Sequence, residues 1–378
     1  MGQVIVCCGS GGVGKTTTSA ALGLALADQG LRVAVLTIDP ARRLADALGV
    51  GALGNDPQAV PLAQVLPGAT GSLDAMMLDM KATFDGVIRR YSPDAEAAER
   101  ILDNHYYQFV STRLAGSHEY MAMERVLELH GSQGYDVLLV DTPPTRHALD
   151  FLSAPERMSG VMNERVMRWL TLPGTARGFR VLERGSQTVM SVLKRLLGSQ
   201  TITDIAEFFA AFQPLWTGFR ERSLELRALL HGPETTFLLV SAPTPAATAE
   251  AREFLEILRA RELPFGGLVV NRVAERPHDL GPVALPAAPS GVAPETWAAV
   301  SRALQGAADH QRRLADGQGP VREELLSTRG DAPAWQVPQL ATDVHDLDAL
   351  RQVARHLVPL ARVVARGSTP LEEPVPRA

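Results

Sequence analysis

The run Gly9-Ser10-Gly11-Gly12-Val13-Gly14-Lys15-Thr16-Thr17 fits the pattern G-x-x-x-x-G-K-[ST]. Glycines at this spacing let successive backbone N–H groups turn inward around an anion. A lysine at the end of such a loop reaches β- and γ-phosphates, and a following hydroxyl suits Mg²⁺. Gly11, Gly12, Val13, Gly14, Lys15, Thr16 and Thr17 are therefore candidate phosphate contacts, with Thr16 also a metal ligand. Lys15 stands out for a second reason. Of the 37 basic residues only Lys15, Lys81 and Lys194 are lysine, so a compact ammonium has been kept where phosphate chemistry needs one. A metal-bound phosphate site also needs an acid. Asp141 closes the apolar run 135–140 and precedes Thr142-Pro143-Pro144-Thr145, while Asp39 follows the apolar run 32–38. Acids at the C-terminal ends of parallel strands face the crevice where open α/β sheets bind ligands.

The elements that would position these groups follow from periodicity. Residues 4–8 are a short apolar run bounded by glycine, which predicts a buried strand entering the loop. Residues 16–29 are rich in Ala and Leu and stop before Gly30, which predicts a helix closing at a glycine. With 32–38 as a second strand, these make a β-loop-α-β unit and a parallel sheet. Further strands are expected at 73–78, 135–140, 236–241, 267–270 and 336–340, with helices at 248–261 and 343–364. Residues 81–130 and 155–231 read instead as helical insertions on either side of the strand at 135–140. The expected fold is α/β: a mostly parallel P-loop NTPase sheet flanked by helices, with an inserted helical subdomain. The ATPase domain is discontinuous, comprising 1–80, 131–154 and 232–365; the helical subdomain comprises 81–130 and 155–231. Residues 274–294 read as an irregular connection and 366–378 as a disordered tail. There is one phosphate loop and no internal repeat, so one nucleotide site per chain is expected.

Composition narrows the classes. The chain has 378 residues and a net charge of −5, which argues against coating nucleic acid or an anionic membrane through bulk charge. The only cysteines, Cys7 and Cys8, are adjacent. Strand neighbours point to opposite faces, so they are a poor disulfide or chelate. No disulfide framework, no signal-peptide pattern and no run of 18 apolar residues is evident, and the expected location is cytoplasmic.

With these residues placed, the sequence resembles the arsenite-transporter and tail-anchored-protein-targeting ATPases, a deviant-Walker branch of the P-loop proteins. The resemblance rests on CGSGGVGKTTTSAALGLALA, LTIDPARRLADALG, LLVDTPPTRHALDFL and a long stretch from 229 to 273 ending in VVNRV. It implies ATP with Mg²⁺, and roles for individual residues. Asp39 falls on the switch I aspartate that orients the attacking water, which makes Asp39 and Lys15 the catalytic candidates. Asp39, Asp141 and Thr16 form the metal set. Asn271 falls on the asparagine that meets adenine, and the segment at Pro338 closes that pocket. The sequence also departs from the family. Ser10 stands where the family loop carries a signature lysine that crosses a dimer to the partner's phosphates, so hydrolysis is expected to be slow unless another cation serves. Arg42, Arg43 and Arg146 are the candidates. Arg146 also replaces a switch II glycine, although His147 is retained. The C-x-x-C pair of a zinc clamp is missing, so no zinc is expected.

The resemblance implies a homodimer or a heterodimer with a related ATPase, and a hydrophobic client segment as partner. Nine of the ten methionines lie between Met76 and Met190, including Met121, Met123, Met158, Met162 and Met167. They fit either a soft client groove or an ordinary core. The stripe Phe208, Phe209, Phe212, Leu215, Trp216 and Phe219 fits either as well. The alternatives are the catalytic subunit of an anion pump, which the lack of a thiol cluster disfavours, and a partition or positioning ATPase. The latter would need a basic DNA face or an amphipathic membrane helix, and no nucleic-acid partner is expected.

Overall fold

The computed structural model describes residues 2–39, 41, 43–105, 107–108, 117–132, 134–143, 215–276, 288–289 and 291–366. Elements are numbered in chain order within these. Eight strands form one sheet: β1 (Gln3–Cys8), β2 (Arg32–Thr37), β3 (Gln58–Ala59), β4 (Ser72–Met77), β5 (Val137–Asp141), β6 (Thr235–Ser241), β7 (Phe265–Val273) and β8 (Ala334–Pro338). Their order is β3-β4-β2-β5-β1-β6-β7-β8. All pairs are parallel except the two-residue edge strand β3 against β4. β1 sits between β5 and β6, so the loop leaving it opens where the chain turns outward in both directions, the usual ligand crevice of such sheets.

The strands are apolar throughout because both faces are covered. Val4, Val6 and Cys8 join one core, while Ile5 and Cys7 join the other. The two thiols therefore point to opposite faces, as strand alternation requires. Helix α1 (Lys15–Asp28) is buried on nearly every side, since it lies between the sheet and α9 (Leu347–Ala365). That explains its Ala/Leu character all round. α9 covers α1 with Leu350, Val353, Leu357, Leu360 and Val364 at three- and four-residue spacing. Each such side chain contributes about 2 kcal/mol on burial.

On the other face lie α3 (Met80–Tyr91), α4 (Ala95–Leu102), α5 (Ser117–Gly131) and α6 (Trp216–His231). Phe84 meets Tyr107 edge-on at 5.5 Å and Phe219 at 6.4 Å, and Tyr120 meets Phe219 at 5.9 Å. Segments on either side of β5 in the chain thus share one aromatic cluster. An ion pair reinforces it. Arg222 of α6 donates through Nε and Nη2 to Glu124 Oε2 of α5 at 3.0 and 2.9 Å, and Tyr120 donates to Glu124 Oε1 at 2.6 Å. The Glu124 side chain is 2% exposed, so the pair is held away from water.

Several expectations shift by one to four residues at strand and helix ends. β2 stops at Thr37 rather than at 38, and Asp141 is the last residue of β5 rather than the residue after it. Four elements were not anticipated: α2 (Arg43–Leu48), β3, a single 3-10 turn at Leu62–Gln64, and the 35-residue helix α8 (Pro294–Thr328), which follows α7 (Pro245–Ala260) and β7. α8 gives little apolar signal because only Leu325 is buried along it, and it contains Gly306, Gly317, Gly319 and Pro320. Of the described methionines, Met76, Met121 and Met123 are core, at most 1% exposed, while Met77 and Met80 are half-buried and pack against it. Met158, Met162, Met167, Met190, Phe208, Phe209, Phe212, the Trp216 side chain, Arg42, Arg146, His147 and the tail beyond 366 lie outside the described residues.

Removing one member of a buried ion pair leaves the other charge uncompensated. Glu124→Ala should therefore cost about 3–5 kcal/mol by chemical denaturation. A loss below about 1 kcal/mol would mean that the pair is solvated.

Candidate functional site

The phosphate loop is shaped from outside as much as from within. Gly9 has φ +153°, and a Cβ there would sit 2.0 Å from the carbonyl oxygen of Val240 on β6. Gly14 has φ +92°, and its Cβ would sit 2.3 Å from Asn271 Nδ2 on β7. Both motif positions are thus glycine because neighbouring strands press on the loop. Gly14 is also the N-cap of α1, and no side chain caps that end. The first N–H groups of α1 are left for an external acceptor, with the helix dipole behind them.

Lys15 is 8% exposed and donates from Nζ to the carbonyl of Ser10 at 2.9 Å. Burial pulls its pKa down, and attraction to Asp141, Cys8 and Asp39 opposes this, while the charge of Arg43 adds to the lowering. The ammonium is held across the loop, where a phosphate would take over from the Ser10 carbonyl.

Asp141 is the hub. Its Oδ2 accepts from Thr16 Oγ1 at 2.7 Å and from Thr37 Oγ1 at 3.0 Å. One carboxylate oxygen so ties β5 to α1 and to β2. The other oxygen, Oδ1, is buried with no partner among the described residues. Burial lifts the carboxyl to about 6, against the hydrogen bonds from Thr16 and Thr37 and the attraction of Lys15. A buried acceptor left open beside a threonine hydroxyl fits a hard cation or its bound water. The donor set is all oxygen, as Mg²⁺ prefers, and Mg²⁺ takes few protein ligands because it keeps several waters.

Asp39 lies at the end of the adjacent strand. Its N–H donates to Thr37 Oγ1 at 3.3 Å, and its Oδ1 accepts from Ala41 N at 3.0 Å. That local turn fixes the carboxylate, and Oδ2 makes no hydrogen bond among the described residues. Thr37 so orients Asp39 and Asp141 together, a role that a threonine in an apolar strand does not announce in sequence. Thr142 also went unrecognised: its hydroxyl donates to Cys7 O at 2.9 Å, locking the residue after Asp141 to β1.

Asn271 is 8% exposed. Its Nδ2 donates to Val13 O at 2.8 Å, and its Oδ1 accepts from Arg272 N at 2.9 Å. One N–H and one lone pair of the amide remain. Pro338, the end of β8, pairs in register with Val273 two residues further on. The structure therefore brings Lys15, Thr16, Asp39 and Asp141 to one set of strand ends and sets Asn271 against the loop. Gly11 and Gly12 form its exposed tip. Arg43, the first residue of α2, is exposed at the rim.

Residues 2–280 match the sequence profile described as anion-transporting ATPase. The chain belongs to the anion-transporting ATPase family. The match runs through the phosphate loop, Asp39, Asp141 and Asn271, and stops before α8, β8 and α9. An ATPase ASNA1 homolog of Entamoeba dispar is 32% identical over 273 residues, covering 70% of this chain and 74% of that protein. ATPase get3 of Schizosaccharomyces japonicus is 26% identical over 270 residues, covering 70% and 72%. ATPase ARSA1 of Chlamydomonas reinhardtii is 26% identical over 289 residues, covering 71% of this chain but 34% of that protein. As a member of this family the chain is an ATP-binding P-loop ATPase, built on the α/β sheet described above. No helix among the described residues is long and apolar enough to cross a membrane.

The Asp141 carboxyl carries a sign that can be checked. Its pKa is about 6 in the fold against 3.8 for the free group. The proton is therefore bound more tightly in the fold, and the cost of burying the charge is absent below about pH 4 and fully present above pH 6. At 1.4 kcal/mol per pH unit this cost is roughly 3 kcal/mol. Nucleotide-free Asp141→Asn should thus gain stability relative to the parent as pH rises from 4 to 7, measured by paired thermal melts. A difference that is flat across this window would refute the buried charge.

Proposed function

We propose that the chain binds Mg²⁺–ATP in the loop 9–17 and hydrolyses it with Asp39 as the group that orients the attacking water. The observation that supports this best is the divided state of Asp141: one oxygen held by Thr16 and Thr37, the other buried and open. Backbone N–H groups from Gly11 to Thr17 surround the phosphates. Lys15 exchanges the Ser10 carbonyl for β- and γ-phosphate oxygens. Thr16, Asp141 and Asp39 hold Mg²⁺ directly or through its waters. The bound metal supplies charge compensation to the phosphate oxygens. Asp39, whose Oδ2 makes no hydrogen bond among the described residues, accepts a hydrogen bond from the water and so aligns it with the γ-phosphorus. The spare donor and acceptor of Asn271 match the adenine edge, which offers an N–H₂ donor beside a ring-nitrogen acceptor. Guanine places an acceptor oxygen where adenine has its amine, so the same amide orientation discriminates against it. Pro338 closes the pocket.

The binding and chemical roles separate by mutation. Lys15→Ala should weaken ATP binding by at least roughly tenfold, about 1.4 kcal/mol. Asp39→Asn should keep that affinity and lose most of the turnover. Calorimetry together with a phosphate-release assay distinguishes them, and parental turnover in Asp39→Asn would remove Asp39 from the water-orienting role.

We further propose a cytoplasmic dimer whose nucleotide state reaches the helical subdomain, divided from the ATPase domain as the sequence suggests. The shared aromatic cluster and the Glu124–Arg222 pair support treating α3 to α6 as one body. A hydrophobic client site there rests on the residues 155–214 of the sequence alone, since Met76, Met121 and Met123 belong to the core. An anion site built on thiols finds no support in Cys7 and Cys8. Both are buried, and burial pushes Cys7 up to about 12 and Cys8 higher still.

Ser10 leaves open which cation compensates the γ-phosphate, one from the same chain or one from across the dimer. We favour Arg43, because it is exposed at the rim and its charge is felt at Lys15. A cation delivered in this way is worth roughly 10³–10⁵ in rate. Arg43→Ala should then collapse the turnover of the purified chain, and Ser10→Lys should leave it unchanged. Acceleration by Ser10→Lys would instead mean that the charge is missing and normally comes from a related subunit.

A further inference from the structure

β7 does not end as a regular strand. Its register against β8 shifts between Val270 and Val273, the mark of a bulge. Within the shift Arg272 has φ +59°, left-handed for a residue that carries a Cβ. Such a conformation persists only where the surroundings hold it. Here they do. Arg272 N donates to Asn271 Oδ1 at 2.9 Å, and Arg272 O accepts from Gln318 Nε2 at 3.4 Å. Gln318 Oε1 in turn accepts from Ala274 N at 2.7 Å. A single amide on α8 therefore bridges a carbonyl and an N–H two residues apart and closes the bulge. Gln311, two turns earlier on the same helical face, donates to Glu275 O at 3.1 Å, and Arg276 pairs with Asp316. α8 splints the whole exit segment 272–276.

The residue held by this splint is Asn271, whose amide rests between Val13 O and Arg272 N and packs on Gly14. We propose that Gln318 is a positioning residue for base recognition: by closing the β7 bulge it fixes the amide edge that Asn271 presents beside the phosphate loop. This rests on Asn271 as the adenine contact proposed above. Without Gln318, Arg272 can leave the left-handed conformation and withdraw its N–H from Asn271 Oδ1. The amide then rotates about its last torsion, a broad and soft one. Adenine loses a fixed donor–acceptor pair, while Lys15, Thr16 and the loop N–H groups keep theirs. The consequence falls on base binding and base choice, not on the chemical step. Gln318 lies beyond the matched family span, 2–280, and is flanked by Gly317 and Gly319 with Pro320 following. Glycine and proline weaken a helix interior, so this turn is held by what Gln318 touches rather than by propensity.

The test uses the full chain. Gln318→Met keeps the length and removes both hydrogen bonds; Gln318→Glu keeps the acceptor for Ala274 N. Gln318→Met should raise KM for ATP roughly fivefold and lower the preference for ATP over GTP, as kcat/KM, by a similar factor. The effect should lie in KM, with kcat at saturating ATP within about twofold. Gln318→Glu should recover part of the loss. Asn271→Ala, run in parallel, should abolish the preference. If Asn271→Ala abolishes it and Gln318→Met retains it, the positioning role is overturned and the base contact stands. If neither changes the preference, both are overturned. If Gln318→Met lowers kcat and melting temperature while the preference holds, and Gln318→Glu recovers nothing, Gln318 is only a structural staple and the proposal fails.

Discussion

A carboxylate that is completely buried must be satisfied or neutralised, and Asp141 is held between those two conditions. Thr16 from α1 and Thr37 from β2 both donate to one of its oxygens. That geometry requires β5 to lie beside both β1 and β2, with α1 starting directly above. The parallel order β2-β5-β1 provides it. Lys15 on the same first turn adds an attractive charge, yet burial still dominates and raises the carboxyl. The nucleotide-free fold thus carries an unmet electrostatic demand at the end of its central strand. Sites that bind cations commonly trade stability in this way.

The sheet can support such a centre because it is covered on both faces. α1 and α9 close one side, and α3 to α6 close the other. The second side is joined by contacts far apart in sequence, with Phe84, Tyr107, Tyr120 and Phe219 meeting around the Glu124–Arg222 pair. Segments that precede and follow β5 are thereby bound together.

On the opposite flank the loop is bounded by β6 and β7. Val240 O lies against Gly9, and Asn271 lies against Gly14. Asn271 lies within the bulged end of β7, and Gln318 of α8 bonds to the backbone on both sides of Val273 there. The phosphate loop is therefore bounded by residues more than 200 positions away in the chain.

Much of this was legible in the sequence. A lysine in a glycine-bounded loop between an apolar run and an Ala/Leu helix determines its own chemistry, because backbone conformation and charge act locally. Asp39 and Asp141 were recognisable because each follows an apolar run, and parallel strands end on one edge. The parallel character of the main strands followed from their alternation with helices, whereas their order in the sheet and the edge strand β3 did not. α8 was not legible: it buries only Leu325 and contains three glycines and a proline, so neither period nor propensity marks it. Thr37 and Gln318 were not legible either. Each acts through hydrogen bonds to residues distant in sequence, and a threonine in a strand or a glutamine in a polar helix looks ordinary alone. Nor could sequence separate core methionines from groove methionines, since Met76, Met121 and Met123 became core only when the helices packed on the sheet. The sequence alone determined the local chemistry of the loop and the acids that face it. The tertiary structure alone decided which hydroxyls and amides hold them, because such partners are chosen by proximity in space and leave no periodic trace along the chain.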